Sequence, residues 1–222
     1  MRRRAAVVTA FAAIVAASPA TAATFPAAGR LVRDVVVRAA PSRNARAVVT
    51  LSQFRPDFRP RIVLAVRERR QGPTVWYRIR LVSRSNRQLG WMTADAVELQ
   101  AISTRIVIHR SARTIEVWRR NVRLLRAAVA VGAPGMETPL GSFYVTARFW
   151  PADSFYGPFG LETSAYSRLS EWPGGGVVGI HGTSMPWLLG RAVSHGCVRV
   201  ANATALRLAK LVPLGTPIRI VD

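Results

Sequence analysis

Two of the three histidines and the only cysteine of the chain fall within 17 residues, as Ile180-His181-Gly182-Thr183 and Ser194-His195-Gly196-Cys197-Val198-Arg199. A free thiol titrates near pH ~8.5 and is a poor nucleophile while protonated. A neighbouring imidazole that takes the proton leaves a thiolate near neutral pH. Acyl transfer further needs donors aimed at the oxyanion that develops on the attacked carbonyl. Gly196, directly before Cys197, lets backbone N–H groups approach with no side chain in the way. Nucleophile, base and oxyanion donors are therefore all represented in one short stretch. His181 follows an apolar run, Val177–Ile180, able to hold its ring rigidly. His195 lies two residues before Cys197 and points the same way if the chain is extended there, but the close spacing restricts alignment of its ring with the sulfur. Residue types and spacing alone leave the choice of base open.

The surrounding residues have two readings each. Thr183 and Ser194 either orient the site or satisfy turn backbone. Arg199 suits a bidentate hold on a substrate carboxylate, or it braces the loop. Tyr156 and Trp187 are candidates to line a cleft, and His109 is given no role. A zinc site from His181, His195 and Cys197 would need ligand spacings such as HExxH or CxxC, and neither occurs. No metal and no cofactor are expected.

The elements that must carry these residues read as mainly β. From Thr24 to about Leu99, short strands are expected at Val35–Val37, Arg61–Val66, Val75–Val82 and Gly90–Met92, separated by turns. This pattern suggests a small barrel over residues 24–100. A second unit, residues 103–222, is expected to hold strands at 105–108, 114–118, 125–131, 142–147, 177–180 and 217–221. Its one clear helix runs over Ala203–Val212, with Asn202 as N-cap and Pro213 as the stop. The stretch Pro151–Trp172 gives no clean pattern.

Of 222 residues, 32 are basic and 11 acidic, a formal charge of +21. Such a balance fits nucleic acid or the anionic polymers of a cell envelope. The arginines are scattered along strand-like segments with no basic helix or tail, so nucleic acid is not expected as a partner. Arg2–Arg4, the apolar run Ala5–Ala17 and the small residues Ala20-Thr21-Ala22 have the layout of a cleavable secretory signal over residues 1–22. That run is shorter than the ~20 residues a bilayer span needs, and no other stretch looks transmembrane. An extracytoplasmic location, in the periplasm or cell wall, follows as the expectation. A single thiol in an oxidising compartment has no internal disulfide partner and is flagged as reactive.

The block Ser194–Arg199, preceded by His181-Gly182-Thr183, resembles the signature of the L,D-transpeptidase (YkuD-type) catalytic domain. Val131-Gly132, Thr138-Pro139-Leu140-Gly141-Ser142-Phe143, the passage from Arg199 to Asn202 and Gly215-Thr216-Pro217 resemble the same family in the same order. Pro151–Trp172 matches less clearly, and the resemblance implies that it belongs to a substrate-facing lid. Val37–Pro41, Trp76–Ile79 and Gly90–Met92 resemble a bacterial SH3-like domain. The family resemblance implies that Cys197 attacks the carbonyl joining the third residue of a peptidoglycan stem to its terminal D-alanine. His181 would be the base, oriented by a backbone carbonyl near Gly182, and the Cys197 and Gly196 amides would hold the oxyanion. His195 would support the geometry, with Arg199, Ser194, Thr183 and Tyr156 around the substrate. An amine of a neighbouring stem would then form a 3→3 cross-link. Water as acceptor would give an L,D-carboxypeptidase, and a lipoprotein acceptor an anchoring enzyme. A non-enzymatic wall-binding protein is the alternative from another class. Peptidoglycan stem peptides and anionic wall polymers are the implied partners.

Overall fold

Residues 24–169 and 175–222 are described by the computed structural model. The expected signal, residues 1–22, lies outside the described residues. Among the described residues sixteen strands and one α-helix form, and the strands divide between two sheets.

The first sheet is antiparallel throughout. It comprises β1 (Ala27–Leu31), β2 (Val35–Arg38), β3 (Ala47–Leu51), β4 (Ile62–Gln71), β5 (Thr74–Arg80), β6 (Leu89–Thr93) and β7 (Val97–Ala101), in the order β3-β2-β6-β5-β4-β1-β7. Leu31, Val37, Val63, Ala65, Ile79 and Met92 form its core. β1, β3 and β7 have no counterpart in the strands expected from sequence. β1 reads Ala-Ala-Gly-Arg-Leu, small residues of low strand propensity. They are small because β1 is wedged between β4 and β7: a Cβ at Gly29 would fall 1.8 Å from the Glu98 carbonyl oxygen. Trp76 and Trp91 are both buried, so they pack the core and do not present a ligand surface.

The second sheet comprises β8 (Thr104–His109), β9 (Thr114–Arg119), β10 (Val122–Gly132), β11 (Gly141–Phe149), β12 (Gly160–Tyr166), β13 (Val177–His181), β14 (Ala192–Ser194), β15 (Val198–Val200) and β16 (Pro217–Val221), with helix α1 (Asn202–Leu211) before the last strand. The order is β14-β10-β15-β13-β12-β11-β16-β8-β9, and β10 also pairs with β9, so the ladder closes on itself like a barrel. Apolar side chains including Ile106, Ile115, Val129, Phe143, Leu161, Ile180 and Val198 fill the interior, with Ala205 and Leu208 of α1 packed among them.

Two expectations are corrected here. Asn202 is not the helix cap: Ala201 occupies that position and no side chain caps the helix. The stretch taken for a lid contains β12, an inner strand between β11 and β13. Its polar residues hid it. Thr163 and Ser164 are buried, yet Thr163 Oγ1 donates to the Val178 carbonyl (2.7 Å) and Ser164 Oγ accepts the Tyr144 N–H (3.0 Å). Buried hydroxyls bonded to neighbouring strands take the place of the expected apolar alternation.

The two sheets are docked by specific contacts. Asn86 presents its side-chain amide to Tyr166 like a strand backbone, donating to the carbonyl (2.7 Å) and accepting the N–H (2.8 Å). Tyr144 donates to the Ile62 carbonyl (3.2 Å), and its ring packs with Ala28 and Leu64. Arg55 grips Glu162 with two contacts, 2.8 and 2.9 Å. At Gly215 (φ +77) a Cβ would come 2.1 Å from that of Ala28, so the seam itself requires a glycine.

Candidate active site

β13 and β15 run parallel, with Ile180 opposite Val198 and His181 opposite Arg199. The same register sets Gly179 beside Cys197. Side chains two apart on a strand share a face, so Gly179, His181, Cys197 and Arg199 face one side. Gly179 opens that side: a Cβ there would lie 3.9 Å from Cys197 Sγ and 3.6 Å from His181 Cδ2. The bare glycine is thus the space that sulfur and imidazole share. Its N–H also donates to Sγ at 3.3 Å.

His181 is 2% exposed, and its Nδ1 lies 2.6 Å from the Gly182 carbonyl oxygen. A carbonyl only accepts, so Nδ1 carries the proton and Nε2 is left as the basic nitrogen. The Tyr156 ring stands edge-on to the imidazole, 5.0 Å between centroids. Burial is the main reason that the His181 pKa is pushed down to about 4; the Arg199 charge lowers it further, and the backbone of Gly182 and Tyr156 acts the other way. Burial also pushes the Cys197 thiol up, against the Gly179 N–H and the Arg199 charge, which favour the thiolate. Both shifts favour the neutral forms, thiol and imidazole, over the charged pair, so the proton would move as the sulfur attacks.

The turn before Cys197 is held by hydroxyls. Ser194 is buried; its Oγ accepts the Gly196 N–H (3.1 Å) and donates to the Cys197 carbonyl (2.5 Å). Thr138 Oγ1, also buried, accepts the Gly132 N–H (3.0 Å) and donates to the Gly196 carbonyl (2.9 Å). Gly196 has φ +114, and a Cβ there would come 2.6 Å from that of Ser167, so no other residue fits. The Gly196 N–H, expected to face an oxyanion, is thus already bonded to Ser194.

The remaining expected residues separate. Thr183 is buried; its N–H donates to Asn202 Oδ1 (2.8 Å), and its Oγ1 accepts the Met185 N–H (3.0 Å). Thr183 and Ser194 therefore satisfy turn backbone. Arg199 is buried beneath the Phe155 ring (4.9 Å), and among the described residues its Nε has no hydrogen-bond partner. His195 is half-buried in the bend between β14 and β15. Trp187 is 69% exposed and does not line the cleft. His109 sits 3.9 Å from Glu116. Sequence reasoning missed Phe155 and the supporting roles of Thr138 and of Asn202, whose Oδ1 lies against Gly157 and Gly182 as well as Thr183. Among the described residues no group of three or more His, Cys, Asp or Glu side chains is placed to hold a metal ion, and no helix is long and apolar enough to cross a membrane.

Cys197, His181, Gly179 and Tyr156 open into a cavity of about 640 Å³ that lies between the two sheets. Leu51, Arg55, Pro56, Arg61, Arg80 and Val82 of the N-terminal part form its opposite wall. The size suits a short peptide.

A family model for the L,D-transpeptidase catalytic domain, YkuD, matches residues 103–220. A Bacillus licheniformis protein with the provisional name L,D-transpeptidase YkuD is 34% identical over 119 residues, 54% of this chain and 66% of that protein. Its Bacillus subtilis counterpart, also provisionally named, is 34% identical over 115 residues, 52% of this chain and 64% of that protein. The chain thus spans a little under two thirds of the length of these relatives. Among solved structures, an L,D-transpeptidase from Mycobacterium smegmatis superposes with a TM-score of 0.46 at 18% identity, covering 67% of this chain and 91% of that one.

Proposed function

The chain belongs to the YkuD family of L,D-transpeptidase catalytic domains, and from that premise we propose that it is an exported cysteine L,D-transpeptidase acting on peptidoglycan stem peptides. One observation carries the reading. Cys197 Sγ and the imidazole of His181 share the space over Gly179, and Nδ1 of that imidazole is committed to the Gly182 carbonyl.

The reaction proceeds in two acyl transfers. Cys197 Sγ attacks the carbonyl between the third stem residue and the terminal D-alanine, while its proton passes to His181 Nε2. The Cys197 N–H holds the oxyanion, and Gly196 joins it only if Ser194 lets go of the Gly196 N–H. The C–N bond breaks, His181 returns the proton to the leaving amine, and D-alanine departs from a thioester. An amine of a second stem then attacks the thioester, gives its proton to His181, and releases the thiol as the 3→3 cross-link forms. Water as acceptor yields a shortened stem. Starting from two neutral groups, the site stores no charge until the substrate is in place. We also read the first sheet as an SH3-like module, and the protein as acting outside the cytoplasmic membrane among anionic wall polymers.

The test is incubation of the purified chain with a tetrapeptide donor and an amine acceptor, followed by mass spectrometry. Release of D-alanine with formation of the joined peptide is expected, with neither seen in Cys197→Ala. Equal turnover by Cys197→Ala would refute the assignment.

A further inference from the structure

The cavity above Cys197 has two unlike walls. The second sheet brings the reacting groups, whose polar atoms are mostly committed to named bonds. The first sheet brings three arginines. Arg55 is neutralised by Glu162 across the seam. Arg61 is not: its guanidinium donates to the carbonyls of Ser52 (2.8 Å) and Phe54 (3.3 Å), which fix its place and leave its charge. Among the described residues Arg80, the last residue of β5, makes no ion pair, and its buried Nε has no hydrogen-bond partner.

All three arginines line the one cavity, together with Tyr144 and Glu162. Burial makes the charged form of Arg80 more costly than on an open surface. Two uncompensated cations in one cleft repel each other, and a ligand carrying a carboxylate relieves that repulsion. The planar fork of arginine matches a carboxylate with two parallel bonds, and the partly apolar wall formed by Leu51, Ile62 and Val82 suits the rest of a peptide.

We propose that Arg80 and Arg61 bind a free carboxylate of the donor peptide close to the scissile amide, which makes the first sheet a wall of the substrate site and not only a tether. The proposal rests on the cleft being a peptide-acyl site, as read above, and adds the charge of the substrate it selects.

The experiment uses the full chain and a set of synthetic stem peptides in which each free carboxylate in turn is replaced by a carboxamide. Calorimetry gives binding without turnover, and mass spectrometry gives turnover. The parent is expected to bind the carboxylate peptide about tenfold more tightly than at least one carboxamide, equivalent to ~1.4 kcal/mol. Added salt should shrink that preference. Arg80→Gln should flatten it to about twofold or less, Arg61→Gln should weaken it, and Arg80→Lys should retain part of it by keeping the charge without the fork. A parent that discriminates against no carboxamide, or an Arg80→Gln protein that keeps the full preference, overturns the proposal. Charge-selective binding without turnover would instead remove the proposed reaction and leave this site standing. Turnover without charge selectivity would do the reverse.

Discussion

The two halves of the reactive pair are held by different materials. The imidazole of His181 hangs from the end of an inner strand and is oriented by a main-chain carbonyl, that of Gly182. The thiol of Cys197 follows a sharp turn whose shape depends on two side-chain hydroxyls, those of Thr138 and Ser194. Main-chain contacts survive most substitutions, because every residue carries the same backbone. Hydroxyl props can be removed one at a time. The base is therefore the sturdy half of the site and the nucleophile the vulnerable half, and substitutions around the two should differ in kind.

The largest effect is expected from His181→Ala. Loss of a positioned general base lowers turnover by about 10²–10⁴-fold. The Cys197 turn, with its own hydroxyl props, should stay intact, so stability should change far less than activity. A denaturation midpoint that collapses along with turnover would show that the histidine holds the fold as well, contrary to the division drawn above.

Thr138→Val and Ser194→Ala come next. Each leaves two buried backbone groups without partners, at a cost of about 1–3 kcal/mol per group left unpaired. Both should lower the unfolding midpoint and also the turnover. They should differ in one respect. Ser194→Ala frees the Gly196 N–H to face the oxyanion, so relative to its stability loss it should keep more activity than Thr138→Val. Chemical denaturation paired with turnover measures both. Unchanged stability in either variant would mean the turn is held by something other than these hydroxyls.

The same contrast decides what was legible in the sequence. The nucleophile arm reads directly, because Ser194, Gly196 and Cys197 fall in one short block and one turn contains all of them. Its outer prop, Thr138, lies 58 positions upstream of the Gly196 carbonyl that it bonds; it stands in a motif of the family resemblance, but nothing local gives its role. His181 and Tyr156 were visible, but the rest of their surroundings was not. Phe155 and Gly157 come from a stretch without periodicity, and β12 behind it uses Thr163 and Ser164 where an apolar alternation was sought. Asn202 carried a misleading signal: an Asn at the start of a helical run usually caps it, yet here tertiary contact with Thr183 and Gly182 claims the side chain. The one-helix, mainly β architecture was readable from strand runs and turn residues. The small-residue strand β1 was not, because close approach to Glu98 rather than propensity selects its residues.

Asn202→Ala tests the sturdy half from its periphery. One side-chain bond is lost, at about 1 kcal/mol, while the Gly182 carbonyl still orients the imidazole. Turnover should fall only a few-fold, less than for either hydroxyl variant. A loss as large as that of His181→Ala would mean that the Gly182 carbonyl cannot hold the ring without Asn202 behind it.

The smallest effect, and the most discriminating, concerns how the two halves feel Arg199. Its guanidinium lowers the pKa of both His181 and Cys197, since a cation disfavours the imidazolium and favours the thiolate. Burial acts on the two groups with opposite sign, pushing the imidazole down and the thiol up. In the parent, iodoacetamide should therefore alkylate Cys197 along a single alkaline step placed above that of an ordinary thiol, while the imidazole resonances titrate at about 4. In Arg199→Gln the cation is gone and both steps should move up together. A variant that merely loosens the site and lets water in would move them towards each other instead, the thiol down and the imidazole up. Measuring the alkylation rate against pH beside the imidazole titration separates these outcomes. Steps that converge in Arg199→Gln would show that Arg199 acts by packing on Phe155 to keep the site dry, and not by its charge.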